Sequence, residues 1–253
     1  MPHPVLFVGA GPGHPDLITV RGARELSLAD TVVYAGSLVH PDMLKLCKPG
    51  CELRDSAGMD LAQITSAMKA AWQAGRRVVR LHSGDPSIYG AIGEQMDFLD
   101  ENSIPWRVVP GVSSFTASAA ALGRELTLPE VSQTVILTRG EGRTAMPELE
   151  KMADLARHRA TLCIFLSVQL IHRVAADLLP SYGPDCPAAV VYRASWEDEK
   201  VLRCRLDELE AKVKEEKLFK SAMLVVGRVL AGHGAKSRLY DKTFAHMYRK
   251  ASL

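Results

Sequence analysis

Three times in the first half of this chain a short apolar run, rich in β-branched residues, stops abruptly at glycine or proline. The runs are VLFVGAGPGHP from Val5, RRVVRLHSGDP from Arg76 and WRVVPGVSS from Trp106. Each is the length of one strand, and each leads into a stretch with helical spacing. A strand that hands over to a helix before its neighbour begins builds a mostly parallel sheet with helices on its faces. The alternation therefore fixes an α/β class before any motif is weighed. It also puts the three turns at the carboxyl ends of strands, where parallel sheets collect their ligands.

Around these runs, TVVYAG (Thr31 to Gly36) reads as another strand. Helices are expected over Pro15 to Leu28, Leu61 to Ala74, Gly90 to Asp100 and Ser113 to Leu122. RELTLPE (Arg124 to Glu130) interrupts the alternation and predicts a boundary between an α/β domain over 1–125 and a second over 126–253. In the second half TVILTR, ATLCIFLS, PAAVVYRAS, KVLRCRL and AMLVVGRVL read as strands, with a helix from Pro147 to Ala156. The late strands lie close together, which predicts short connections and a mixed sheet. No internal repeat or low-complexity linker stands out.

A chain of 253 residues can bury a substantial core, and its formal net charge of +2 gives bulk electrostatics no argument for nucleic acid or a membrane surface. The tail is the exception, with Lys236, Arg238, Lys242, Arg249 and Lys250 against the single acid Asp241. Such a cluster is a solvated end or the face of an anionic ligand. Five scattered cysteines form no zinc set, so ordinary thiols and no metal are expected. No leader-like segment and no long apolar window interrupts the pattern. A soluble, cytoplasmic protein is the expectation.

GAGPGHP tests poorly as a dinucleotide fingerprint. Gly9 and Gly11 fit G-x-G-x-x-G, but His14 stands at the third position and Pro12 removes a backbone N–H that phosphate would need. The second strand ends in Tyr34-Ala35-Gly36, with no carboxylate for a ribose. Among the three turns Asp85 is the one acid, which suits a ligand with amino, amide and hydroxyl groups better than a pyrophosphate.

VGAGPGHPDLIT, GDPSIYG and VPGVSS, in this order and at these intervals, resemble the tetrapyrrole methylase family of S-adenosylmethionine-dependent methyltransferases, over nearly the whole chain. Members serve sirohaem and cobalamin synthesis, diphthine synthesis and ribosomal-RNA methylation. YAGSLV, AGM, QTVILTRGEGRT and KSRLYDKTFAHMYRK are similar to the branch that methylates precorrin-4 at C11. Sirohaem-branch members typically carry Asp where this chain has Gly36, and GGDP where it has Ser83-Gly84-Asp85-Pro86.

The resemblance implies two α/β domains with the cofactor cleft between them (the class III methyltransferase architecture), usually as a homodimer. Carried over by position, it implies that Pro12, Ser83, Gly84, Asp85, Ile88, Ser113, Ser114, Leu166, Ala194 and Ala222 bind S-adenosylmethionine, with S-adenosylhomocysteine as product. Small and apolar residues at strand ends do make flat walls for a purine. The implied substrate is a tetrapyrrole bearing acetates and propionates, for which arginine forks are suited. Candidate clamps are Arg21, Arg139, Arg143 and Arg193, with Lys236, Arg238 and Lys242 in the tail; Glu141 is expected to pair with its loop arginines. Catalysis rests mainly on alignment of carbon, methyl and sulfur. No dyad is evident, and His82 and Tyr89 read as core or cleft residues. The implied reaction is methylation of precorrin-4 at C11 to give precorrin-5, with the cobalt complex as an alternative substrate. RNA ribose methylation is an alternative of another class, and one that wants a basic face.

Overall fold

The computed structural model describes residues 3–232, 243–245 and 247–250. The chain divides into two compact units, Met1–Ser118 with Arg193–Glu199, and Ala119–Tyr192 with Lys200–Leu253.

The first unit holds five strands: β1 (Val5–Gly9), β2 (Thr31–Tyr34), β3 (Glu52–Asp55), β4 (Val78–His82) and β5 (Trp106–Val109). All neighbours are parallel, in the order β3-β2-β4-β1-β5. Four of these match the strands expected from the sequence. The fifth, β3, escapes the pattern because its ELRD is short, polar and half exposed at the sheet edge. Helices α1 (Val20–Leu28), α2 (Leu61–Gln73), α3 (Gly93–Glu101) and α4 (Ser114–Leu122) follow β1, β3, β4 and β5.

The helix expected from Pro15 is shorter than the pattern predicts. Thr19 is extended and its hydroxyl accepts from Gly22 N–H at 3.1 Å, so α1 starts at Val20 and Pro15–Leu17 makes only a 3-10 turn. For α2, Asp60 and Gln63 form a reciprocal capping box. Its buried stripe, Ile64, Met68 and Ala71, covers one face of the sheet with Phe7, Val33 and Leu99. Leu26 and Ala29 at the end of α1 cover the other face with Val8, Val32, Leu81 and Val109.

The second unit holds β6 (Val135–Arg139), β7 (Thr161–Phe165), β8 (Pro187–Tyr192), β9 (Lys200–Arg205) and β10 (Ala222–Val226). The order is β6-β7-β10-β8-β9, with only β6 and β7 parallel, so the sheet is mixed as expected. The connections are longer than expected. Besides α5 (Met152–Ala156), α6 (Ile171–Tyr182) joins β7 to β8, and α7 (Leu209–Glu215) joins β9 to β10. The stripe Ile171, Val174, Leu178 and Tyr182 has helical spacing and enters the core beside Leu162, Ile164, Val190 and Leu224. The changeover between units falls inside α4, and the loop between β8 and β9 belongs to the first unit. No helix among the described residues is long and apolar enough to cross a membrane.

Candidate methyl-donor site

In the first unit the three glycine turns meet at the carboxyl edge of the sheet. Ala10 N–H donates to the His82 carbonyl at 2.7 Å, Gly84 N–H to Gly11 at 2.7 Å, and Gly11 N–H to Gly84 at 3.2 Å. GAGPGHP and SGDP are thus zipped backbone to backbone. VPGVSS closes on them so tightly that a Cβ on Gly111 would overlap the Gly84 carbonyl and stand 2.8 Å from the Gly9 Cα. The glycines serve close approach of backbone to backbone.

Asp85 holds two of these turns together. One oxygen accepts from Gly111 N–H at 2.8 Å; the other accepts from Ser87 N–H at 2.8 Å and from the Ser87 hydroxyl. Burial would raise its pKa, but these hydrogen bonds outweigh it and hold the carboxyl below the usual carboxylate range. Pro12, Gly84 and Ser113 are buried, while Ser83, Ile88 and Ser114 are half-buried. The Ser113 carbonyl accepts from the Thr116 hydroxyl and Ala117 N–H at the start of α4. Beyond the SGDP turn, Tyr89 and Ala91 hold left-handed backbone with φ of 54° and 48°. Strain of this kind persists only where surroundings enforce it, and it concentrates at ligand sites.

His82, at the end of β4, is a buried histidine beside Phe7, with ring centroids 6.1 Å apart. Burial, reinforced by the Arg80 cation, pushes its pKa down to about 3, so the ring is neutral at ordinary pH. Arg80 is itself buried, donating to Gln95 Oε1 at 3.1 Å and to the Val33 carbonyl at 3.2 Å.

A carboxylate does stand at the end of β2, although the sequence of that strand has none. Asp55, paired with Tyr34 across β2 and β3, accepts from Gly36 N–H at 3.0 Å and Ala57 N–H at 2.8 Å. A Cβ on Gly36 would fall within the Asp55 carboxyl group. Only the register of the polar edge strand reveals it.

In the second unit, Leu166 directly follows β7. On β10, Leu224 pairs with Ile164 of β7, and Ala222 pairs with Tyr192 of β8. The expected wall residues Leu166 and Ala222 thus stand at the same end of this sheet, and Ala194 lies two residues past Tyr192. Leu166 has a φ of 53° and is an apolar residue 72% exposed. Ser167 enforces that turn: its buried hydroxyl donates to the Phe165 carbonyl and accepts from Gly140 N–H, both at 2.6 Å.

The arginine candidates separate. Arg139 donates to the carbonyls of Gly140, Thr144 and Ala145, so its guanidinium braces its own loop. Arg143, at the exposed tip of that loop, has no polar partner among the described residues. Glu141 accepts from Met146 N–H at 3.3 Å, in place of the expected pairing with arginine. Arg193 meets Asp198 at 2.6 Å. Arg21 lines a groove with His3, Arg77 and Arg107 by the first residues of β1, β4 and β5, at the strand edge opposite the glycine turns. Lys236, Arg238 and Lys242 lie outside the described residues.

The cysteines are free thiols, with burial raising Cys163 to about 12. No group of three or more His, Cys, Asp or Glu among the described residues could hold a metal ion. What the turns offer is backbone polar groups and small residues at the carboxyl edge of the sheet.

The family model for tetrapyrrole (corrin/porphyrin) methylases matches residues 4–210. The chain is 51% identical over 249 residues to the cobalt-precorrin-4 C(11)-methyltransferase of Methanocaldococcus jannaschii, covering 98% of this chain and 96% of the relative. It is 50% identical over 246 residues to the precorrin-4 C(11)-methyltransferase of Pseudomonas aeruginosa, covering 97% and 98%. Among solved structures, a cobalt precorrin-4 methyltransferase of cobalamin biosynthesis superposes with a TM-score of 0.87 at 45% identity, covering 89% of this chain and 95% of that one. The uroporphyrin-III C-methyltransferase of Thermus thermophilus, complexed with S-adenosylhomocysteine, gives 0.75 at 31%, covering 92% and 96%.

Proposed function

The chain belongs to the tetrapyrrole methylase family, and from that premise we propose that it transfers the methyl group of S-adenosylmethionine to C11 of precorrin-4, giving precorrin-5 in cobalamin biosynthesis. The observation that carries the reading is the convergence of three glycine turns on one strand edge, in a chain half identical to C11-methyltransferases along its whole length. When bound, S-adenosylmethionine supplies an electrophilic methyl on a good leaving group.

The chain's own contribution is binding, alignment and exclusion of water. Pro12, Ser83, Gly84, Ile88, Ser113, Ser114 and Ala194 present backbone and small side chains to the donor, and Asp85 keeps their turns in register. Leu166 and Ala222 carry the apolar surface that the resemblance assigns to the same ligand. Arg143 is the best placed of the loop arginines for a substrate carboxylate, because Arg139 already spends its donors on bracing the loop. With the donor bound, these residues would hold its methyl in line with an electron-rich ring carbon of the substrate, and the proton lost from the product would pass to solvent; no side chain is assigned as the base. A homodimer in the cytoplasm is part of the proposal.

The cobalt complex of precorrin-4 is a second reading, favoured by the 51% identical relative that acts on it. Incubation with methyl-labelled S-adenosylmethionine and each of precorrin-4, cobalt-precorrin-4, uroporphyrinogen III and RNA decides among them. Label at C11 of precorrin-4 is the expected result. Label in uroporphyrinogen or RNA, and in neither precorrin, overturns the proposal; turnover of the cobalt form alone replaces it with the second reading.

A further inference from the structure

The tripeptide His-Pro-Asp occurs twice, at residues 14–16 and 40–42, in two different turns of the first unit. The two copies fold alike. Each histidine precedes a 3-10 turn, and its Nδ1 accepts from the N–H of the following aspartate, at 3.2 Å for Asp16 and 3.1 Å for Asp42. Proline sits at the first helical position of both, where a missing N–H costs nothing.

Both copies hold the same piece of chain, the loop Arg193–Glu199. The backbone N–H of His14 donates to the Ser195 hydroxyl at 3.0 Å, and the His40 ring stands 4.6 Å from the Trp196 ring, centroid to centroid. Trp196 is fixed from other sides as well. Its indole N–H donates to the Pro12 carbonyl at 3.0 Å, and the Arg193 guanidinium lies 4.0 Å over its ring. A Cβ on Gly13 would overlap the indole, so the loop seats directly on the backbone of GAGPGHP. Inside the loop, Arg193 pairs with Asp198, Ser195 N–H donates to the Glu199 carboxylate at 2.6 Å, and Arg193 and Ser195 are left-handed with φ of 46° and 69°. These strained residues and internal bonds describe a preformed clasp.

We propose that Trp196 is a positioning residue for the methyl donor, acting through Pro12. The inference rests on the reading that Pro12 lines the donor site. The indole N–H fixes the Pro12 carbonyl and the indole face fixes Gly13, so the turn keeps one backbone arrangement whether or not donor is bound. Losing that preorganisation weakens donor binding and leaves the substrate side untouched.

The test is S-adenosylhomocysteine affinity, by calorimetry on the full chain, for wild type, Trp196→Phe and Ser195→Ala. Trp196→Phe keeps an aromatic ring and deletes the N–H; Ser195→Ala is a milder cut at the same seam, useful if the first variant folds poorly. The expected result is a rise in Kd of about 5- to 10-fold for Trp196→Phe and about 2- to 3-fold for Ser195→Ala. KM for S-adenosylmethionine should rise in parallel, while KM for the tetrapyrrole is unchanged. Wild-type affinity in both clasp variants, or equal loss on the donor and tetrapyrrole sides, overturns the assignment. Failure of the wild type to bind S-adenosylhomocysteine would instead overturn the functional reading beneath it.

Discussion

The strand-end edges of the two units are built by different means. In the first unit the turns GAGPGHP, SGDP and VPGVSS meet through backbone, with glycines 9, 84 and 111 in mutual contact and carbonyls and N–H groups paired across the seam. In the second unit the turns after β7 and before β10 put ordinary residues in left-handed backbone. Leu166 and Ser221 have φ of 53° and 52°, and side chains such as Ser167 and Arg139 hold their surroundings in place. A backbone-built edge resists substitution at its glycines, with the Asp85 carboxylate and the Trp196 indole as side-chain ties between its turns and their surroundings. A side-chain-built edge depends on single hydroxyls and guanidiniums.

The largest effect should come from adding one methyl group to the backbone-built edge. Gly111→Ala drives a Cβ into the Gly84 carbonyl. It should cost about 3 kcal/mol or more of unfolding free energy, read by urea denaturation, and abolish S-adenosylhomocysteine binding. A variant of wild-type stability would mean that the three turns are not in contact as described.

Next in size is a pH effect at the same edge. His82 titrates at about 3 in the native protein and near its ordinary value of 6.5 when unfolded. Between these values the unfolded chain binds the extra proton, so stability falls as pH falls. Replacing it by leucine should reduce the stability lost between pH 7 and pH 5 by about 2 kcal/mol relative to wild type. An identical loss in both proteins would show that His82 protonates freely in the fold.

The smallest effect belongs to the side-chain-built edge. Ser167→Ala leaves the buried Gly140 N–H without its acceptor and should cost about 1–2 kcal/mol, measured by the same denaturation. If Gly140→Ala, whose Cβ would lie 3.1 Å from the Ser167 hydroxyl, proved the far more damaging change, the contrast between the edges would dissolve.

The same contrast explains what the sequence discloses. Turns made of glycine announce themselves, and so the class, the parallel sheet and the three glycine turns at its strand ends are legible in the residues alone. The family resemblance adds the donor. What stays hidden is whatever depends on register or on distant partners. The strand ELRD is too short and polar to show a period, and with it goes the Asp55 carboxylate that fills the space beside Gly36. α6 has a clear apolar stripe, but the density of strand-like runs around it masks the period. The bond from Trp196 to Pro12 spans 184 positions and leaves no local mark. Arg139 and Arg143 look equivalent in TRGEGRT; only the fold shows that Arg139 is spent on three loop carbonyls.

The division of labour between the edges is tested most directly by the affinity for S-adenosylhomocysteine of two variants, Asp85→Ala and Arg143→Ala. Asp85→Ala removes the carboxylate that ties SGDP to VPGVSS, and its Kd should rise about 10- to 100-fold. Arg143→Ala leaves the glycine turns intact, so its Kd should stay within about 2-fold of wild type, its loss falling on tetrapyrrole KM. Equal weakening of S-adenosylhomocysteine binding in the two variants would contradict the assignment of the donor to the glycine turns.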